Sequence, residues 1–141
     1  MFKKILVPID VSQSDSGEAG LKAAAELANK TGAKLILLHV TGDIPNLVAN
    51  QLPSNYTETM EASSAKTLDE LASKHGLASG SYEIQASHGQ IYDRIIEVAE
   101  KGAIDLIVIA SHQPGLADYL LGSTAAKVVR HAHCSVLVVR D

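Results

Sequence analysis

A chain of 141 residues is long enough to bury one sizeable core, and 46% hydrophobic against 20% charged residues excludes a disordered chain. A net charge of −4 and a pI near 5.8, with no cluster of basic residues, exclude the electrostatic footprint of a nucleic-acid binder. Cys134 is the lone cysteine and forms no internal disulfide, and no apolar run reaches membrane-span length. The expectation is one cytoplasmic domain over residues 1–141, with neither nucleic acid nor membrane as a partner.

The chain opens on MFKKILVPID, in which Lys3 to Ile9 is a short β-rich apolar run broken by Pro8, a strand rather than a secretion signal. SDSGEAGLKAAAELANKTG then places Ala19, Leu21, Ala23, Ala24, Leu27 and Ala28 at helical spacing and stops at Gly32. KLILLHV, from Lys34 to Val40, is a second strand and completes a β-α-β unit. The stretch from Thr41 to about Tyr56, with two prolines and three asparagines, is long for a β-α connection, the kind of segment that serves as a lid or binding loop. MEASSAKTLDELASKHG predicts a helix ending at Gly76, SYEIQAS a weaker strand, and YDRIIEVAEKG a helix ending at Gly102. DLIVIAS follows as a strand, STAAKVVRHA as a helix and SVLVVR as the last strand.

Strands such as LIVIA and LILLHV lack the alternation of a half-solvated sheet, so both of their faces are covered. With right-handed crossovers, five strands and four helices predict an α/β fold. It is a doubly wound, Rossmann-like parallel sheet of five strands in the order 3-2-1-4-5. In that order the fourth strand returns to pair with the first, and ligands bind where the winding reverses. The predicted crevice lies beyond Ile9 and Ile109, lined by Asp10 after the first strand and by Ala110, Ser111 and His112 after the fourth.

A helix opening at Gly122-Ser123-Thr124 offers unpaired backbone N–H groups and the positive end of its dipole to phosphate oxygens; the plainer expectation is that Ser123 caps the helix. Asp10 has the chemistry to accept from ribose hydroxyls, or to act as a turn residue with Ser12 and Ser14. No GxxxxGK[ST] loop and no GxGxxG after the first strand is present, nor an SGGxDS loop or HxGH. His39, His88 and His112 fall near strand carboxyl ends, a metal or anion set in one reading and solvated rim residues in the other. In HAHC, Arg130 and His131 suit the last turn of a helix and Cys134 the start of a buried strand. No nucleophile and base can be paired from sequence. The final strand is an edge that is apolar on both faces from Val136 through Leu137 and Val138 to Val139, which predicts a homodimer through it, with a covering loop as the alternative.

KKILVPIDVS at the start, HV ending the second strand, DLIVIASH, and LLGSTAAKVVRHAHCSVLVVR at the end resemble the universal stress protein family over nearly the whole chain, most closely its bacterial F-type, ATP-binding branch. The resemblance is specific at both ends and weak from Asp43 to Ser81. ATP-binding members carry G-x2-G-x9-G-[ST], whose glycines let the loop wrap the phosphates. The matching run here is Ala110-Ser111-His112-Gln113, eight residues, then Gly122-Ser123, so both early glycines are replaced and the spacer is one residue shorter. Gly89-Gln90-Ile91 stands where the family has a G-x-P turn. The resemblance implies adenine held by the backbone at Val40 and near Pro8 and Ile9, and ribose held by Asp10 and Ala110. The phosphates fall to Ser111, His112, Gly122, Ser123 and Thr124, with Gln113 either reaching a phosphate or closing the loop. It implies an ATP-binding stress-response protein, with Mg2+ accompanying ATP, assembled as a dimer through the last strand or as a tetramer. The alternatives are a dimeric interaction module that binds no nucleotide, and a slow ATPase.

Overall fold

The computed structural model describes residues 1–10, 17–41, 48, 50–111 and 122–140. Among them strands and helices alternate as β1 (Lys4–Pro8), α1 (Glu18–Thr31), β2 (Lys34–Thr41), α2 (Tyr56–Lys74), β3 (Tyr82–His88), α3 (Ile91–Lys101), β4 (Leu106–Ser111), α4 (Ser123–His131) and β5 (Ser135–Arg140). All the strand pairs are parallel and the sheet order is β3-β2-β1-β4-β5, as the sequence predicts.

The apolar runs lack alternation because each face of the sheet carries its own helix layer. Ile5, Val7 and Ile9, Leu35 and Leu37, and Leu106 and Val108 pack against Leu21 and Ala24 of α1 and Leu68 and Ala72 of α2. The intervening residues Leu6, Ile36, Leu38, Ile107 and Ile109 pack against Ile95 and Ala99 of α3 and Ala125 and Val128 of α4. Each large aliphatic side chain removed completely from water in these layers contributes about 1.5–3 kcal/mol. The period of two along β1, β2 and β4 therefore decides which face of the sheet a side chain serves.

Helix ends follow local chemistry. α1 begins after Gly17 at φ 89° and ends at Gly32 at φ 74°, whose N–H donates to the Ala28 carbonyl, left-handed conformations that a side chain would strain. α2 starts at Tyr56, one turn before the Met60 at which the sequence reading placed it. A turn closed by Tyr56 N–H on the Pro53 carbonyl feeds directly into it, and both Thr59 N–H and Thr59 Oγ1 donate to the Asn55 carbonyl. The signal was Asn55 followed three residues later by Glu58, a helix-start spacing hidden inside an asparagine- and proline-rich loop.

The seam between the two halves of the sheet is short. β1 and β4 are in register only at Ile5 with Leu106 and Leu6 with Ile107. Asp105 closes the amino end of that seam: its Oδ2 accepts from Lys3 N–H at 2.8 Å and its Oδ1 from Lys4 N–H at 3.1 Å, while its own N–H donates to the Lys4 carbonyl.

The two sheet edges differ. β3 carries Glu83 in an ion pair with Lys34, a charge that discourages a further strand from adding there. β5 has no charge between Ser135 and Arg140, and Leu137 is 38% exposed.

Candidate functional site

Beyond Leu6 and Ile107 the paired register of β1 and β4 ends, and a cleft of about 210 Å3 opens at the carboxyl ends of the strands. Ile9 is held to the β2 side of this gap. Its N–H donates to the Leu38 carbonyl at 2.8 Å, and its carbonyl lies 3.3 Å from Nδ1 of the buried His39. A proton on that nitrogen completes the pair and fixes the ring tautomer. Asp10 follows directly and reaches the cleft.

The floor and one wall are apolar: Pro8, Leu38 and Val40 from the sheet, Ile91 and Ile95 from α3, and Ile109 from β4. The opposite wall is polar and comes from Ser111, Gly122, Ser123 and Thr124. Every residue that the resemblance assigns to the nucleotide and that falls among the described ones lines this cleft: Pro8, Ile9, Asp10, Val40, Ala110, Ser111, Gly122, Ser123 and Thr124. His112 and Gln113 lie outside the described residues. Leu38, Ile91, Ile95, Ile109 and Ala125 were not foreseen. All but Ile91 read as core in the sequence, whereas Ile91 stands 44% exposed at the first position of α3, behind the Gly89 turn at φ 131°.

The polar wall departs from the expectation of a serine cap. Gly122 is the N-cap of α4, Ser123 is already helical, and no side chain caps the helix. The first helical bond runs from Ala126 N–H to the Gly122 carbonyl at 2.9 Å. The N–H groups of Ser123, Thr124 and Ala125 thus have no acceptor inside the helix and open on the cleft with the positive end of the dipole. Gly122 N–H donates instead to Ser111 Oγ at 2.9 Å. Apolar and polar walls facing each other suit an amphipathic ligand with a flat apolar body and an anionic end.

Ala110, which stands where the resemblance expects a glycine, contributes backbone to the cleft. The flanking Ile109 and Ser111 line the α3/α4 side, and the Ala110 methyl points to the opposite face, beside Gly20 of α1. The replacement of that glycine therefore leaves the cleft unfilled.

The histidines do not assemble. His39 is turned into the α1/α2 side beneath Ile9, His88 ends β3 opposite Thr41, and His112 lies outside the described residues; among the described residues no group of three metal-ligating side chains occurs. In HAHC, His131 belongs to the last turn of α4 and packs on Tyr92, while His133 reaches Glu100. Cys134 precedes β5 rather than starting it and is only partly buried; burial nonetheless pushes its thiol up, which keeps it protonated and a poor nucleophile.

The sequence profile described as the Universal stress protein family matches residues 1–140. The chain belongs to the universal stress protein family. It is 29% identical to Universal stress protein G of Shigella flexneri, over 99% of this chain and 100% of that protein. Among solved structures, the universal stress protein UspA from Lactobacillus plantarum superposes with a TM-score of 0.80 at 26% identity, over 99% of this chain and 98% of that one. A universal stress protein in complex with cAMP superposes with a TM-score of 0.70 at 23% identity, over 99% and 97% of the two chains, a likeness of fold. The five-stranded parallel sheet, covered among the described residues by four helices, is thus the family architecture, and the cleft lies where its winding reverses.

Proposed function

We propose that this universal stress protein is a nucleotide-dependent stress-response protein whose cleft binds ATP, and that it works as a binding protein rather than a catalyst. The observation that carries the reading is the start of α4, where the Ser123, Thr124 and Ala125 amides have no acceptor inside the helix and face an apolar wall across the reversal point of the sheet. Adenine fits the wall of Leu38, Val40 and Ile91, ribose hydroxyls fit the Asp10 carboxylate, and phosphates fit the Ser123, Thr124 and Ala125 amides. Another protein of this fold has been solved with cAMP, also an adenine nucleotide.

Charge decides what accompanies the phosphates. Among the described lining residues there is one carboxylate, Asp10, and neither lysine nor arginine. The half charge of a helix terminus does not balance a triphosphate. The available donors are oxygens, from Asp10, Ser111, Ser123 and Thr124, and they suit a hard cation such as Mg2+. ATP is therefore expected to enter with Mg2+, which neutralises the phosphate charge that the side chains leave uncovered.

The edge strand β5, without internal charge and with Leu137 exposed, supports assembly as a homodimer through Val136, Leu137, Val138 and Val139, alone or within a tetramer. The same edge favours a second reading, a dimeric interaction module that binds no nucleotide, should the replacements at Ala110 and Gln113 abolish binding.

Calorimetric titration of nucleotide-stripped protein with ATP and Mg2+, beside Gly122→Glu, separates the two. Micromolar binding that needs Mg2+ and disappears in the variant is the expected result. Absence of heat together with absence of thermal stabilisation by ATP overturns the nucleotide reading in favour of the interaction module. Phosphate release above background, lost in Asp10→Asn, would add a slow ATPase activity.

A further inference from the structure

We propose that Ser111 is a positioning residue: its hydroxyl latches the start of α4 to the end of β4 and thereby presents the Ser123, Thr124 and Ala125 amides to the ligand. The inference rests on the nucleotide reading for what the cradle receives, but the latch itself is read directly from the geometry.

Ser111 is the last residue of β4, on the cleft face, and only 9% exposed. Its Oγ accepts the Gly122 N–H at 2.9 Å, across eleven positions of sequence. Because α4 has no side-chain cap of its own, this bond does from the sheet what a capping side chain does from within a helix. It satisfies one of the orphan amides and fixes the direction in which the next three point. Gly122 is then part of the framework, and its amide is already engaged before any anion arrives.

The chemistry of a hydroxyl suits the post. A serine oxygen accepts and donates at once. Here it accepts from Gly122, which leaves its own hydrogen to rotate toward a phosphate oxygen in the cleft. An amide, a hydroxyl and an anion in series polarise one another, so the latch tightens as the ligand binds. Alanine at position 111 loses both bonds and leaves the Gly122 amide without its acceptor. Threonine keeps both, and cysteine at nearly the same volume offers only a weak acceptor.

The test compares wild type with Ser111→Ala, Ser111→Cys and Ser111→Thr in two measurements. The first is hydrogen exchange of the Gly122 amide by NMR in nucleotide-free protein, with the core amides of Ile107 and Val108 as a control for the fold. The second is the dissociation constant for ATP with Mg2+. Expected are at least tenfold faster Gly122 exchange and about tenfold weaker binding in Ser111→Ala, intermediate values in Ser111→Cys and recovery in Ser111→Thr, with the core amides unchanged. Unaltered Gly122 exchange in both Ser111→Ala and Ser111→Cys overturns the latch. Faster exchange with wild-type affinity overturns its role in presenting the cradle. A wild-type protein that binds no ATP, yet loses Gly122 protection on substitution of Ser111, overturns the nucleotide reading and leaves the latch standing.

Discussion

Gly20 of α1 lies against Ala110 of β4 so closely that a Cβ built on the glycine stands 3.4 Å from the Ala110 nitrogen and 3.7 Å from its Cβ. The helix thus yields, at one position, the space in which the methyl of Ala110 is accommodated away from the cleft. A methyl at position 20 is still within ordinary contact distance and removes a glycine from a helix interior. Gly20→Ala is expected to stabilise the protein by up to about 1 kcal/mol. Gly20→Ile presses a branched side chain onto the end of β4 and is expected to cost about 1–3 kcal/mol. Urea unfolding of the two variants checks the opposite signs; equal and small effects would mean that the contact between α1 and β4 is loose.

The Asp105 carboxylate bridges Lys3 and Lys4 N–H groups at the amino end of the β1–β4 seam. Because only two residue pairs hold that seam in register, the clamp matters more than an exposed carboxylate ordinarily does. Asp105→Ala is expected to destabilise by about 1–2 kcal/mol, less than for buried charged hydrogen bonds because solvent competes. Asp105→Asn, which keeps one acceptor, is expected to lose less. Chemical denaturation midpoints give both values.

Glu18 at the start of α1 accepts from Lys74 Nζ at 2.7 Å and has His75 Nε2 at 3.5 Å from the same oxygen. The hydrogen bond from Lys74 holds its carboxyl below the usual carboxylate range, against a smaller opposing effect of burial. With the folded pKa lowered, the unfolded chain binds the proton more readily, so stability from this group rises with pH. That contribution is present above about pH 4, the ordinary carboxylate value, and fades as pH falls through the lower folded value. Glu18→Gln is expected to lower stability at pH 7, to flatten the acid side of the stability profile, and to match wild type near pH 2. A variant whose profile parallels wild type across that range would assign the acid sensitivity to other groups.

The exposed Leu137 on an edge strand without internal charge makes the proposed dimer testable by one substitution. Leu137→Asp places like charges near each other across a twofold contact and is expected to yield monomers in sedimentation equilibrium while ATP affinity is retained. A wild-type protein that sediments as a monomer removes the dimer from the account.

The covered parallel sheet was legible because LIVIA and, but for His39, LILLHV are apolar on both faces, and right-handed crossovers then set the strand order. The polar residues of the cleft were legible for the same reason, since topology alone brings the ends of β1 and β4 together with the start of α4. The apolar wall was not. Leu38, Ile95 and Ile109 carry the pattern of core residues, and nothing local says that the strands part beside them. Only Ile91, an exposed isoleucine in the first turn of a helix, left a trace in the sequence. His39 was misread as a rim residue because strand ends look alike in sequence, whether the side chain turns to solvent or beneath a neighbouring carbonyl. The bond between Ser111 and Gly122 joins residues too far apart for any local signal.

The two-pair seam between β1 and β4 has a mechanical consequence. Beyond Leu6 and Ile107 no backbone pairing joins the end of β1 to the end of β4, and the two strands are tied there through the helix layers, α1 lying on Leu106 and Val108 and α3 on Leu6, Ile36 and Leu38. A nucleotide bound as proposed, touching Asp10 and Val40 on one side and Ser123 and Thr124 on the other, would add a cross-brace between the unpaired strand ends. Its binding energy would appear as resistance of those ends to parting, growing by about 1.4 kcal/mol for each tenfold rise in nucleotide above its dissociation constant. The stiffness of the protein would then track the nucleotide supply around it.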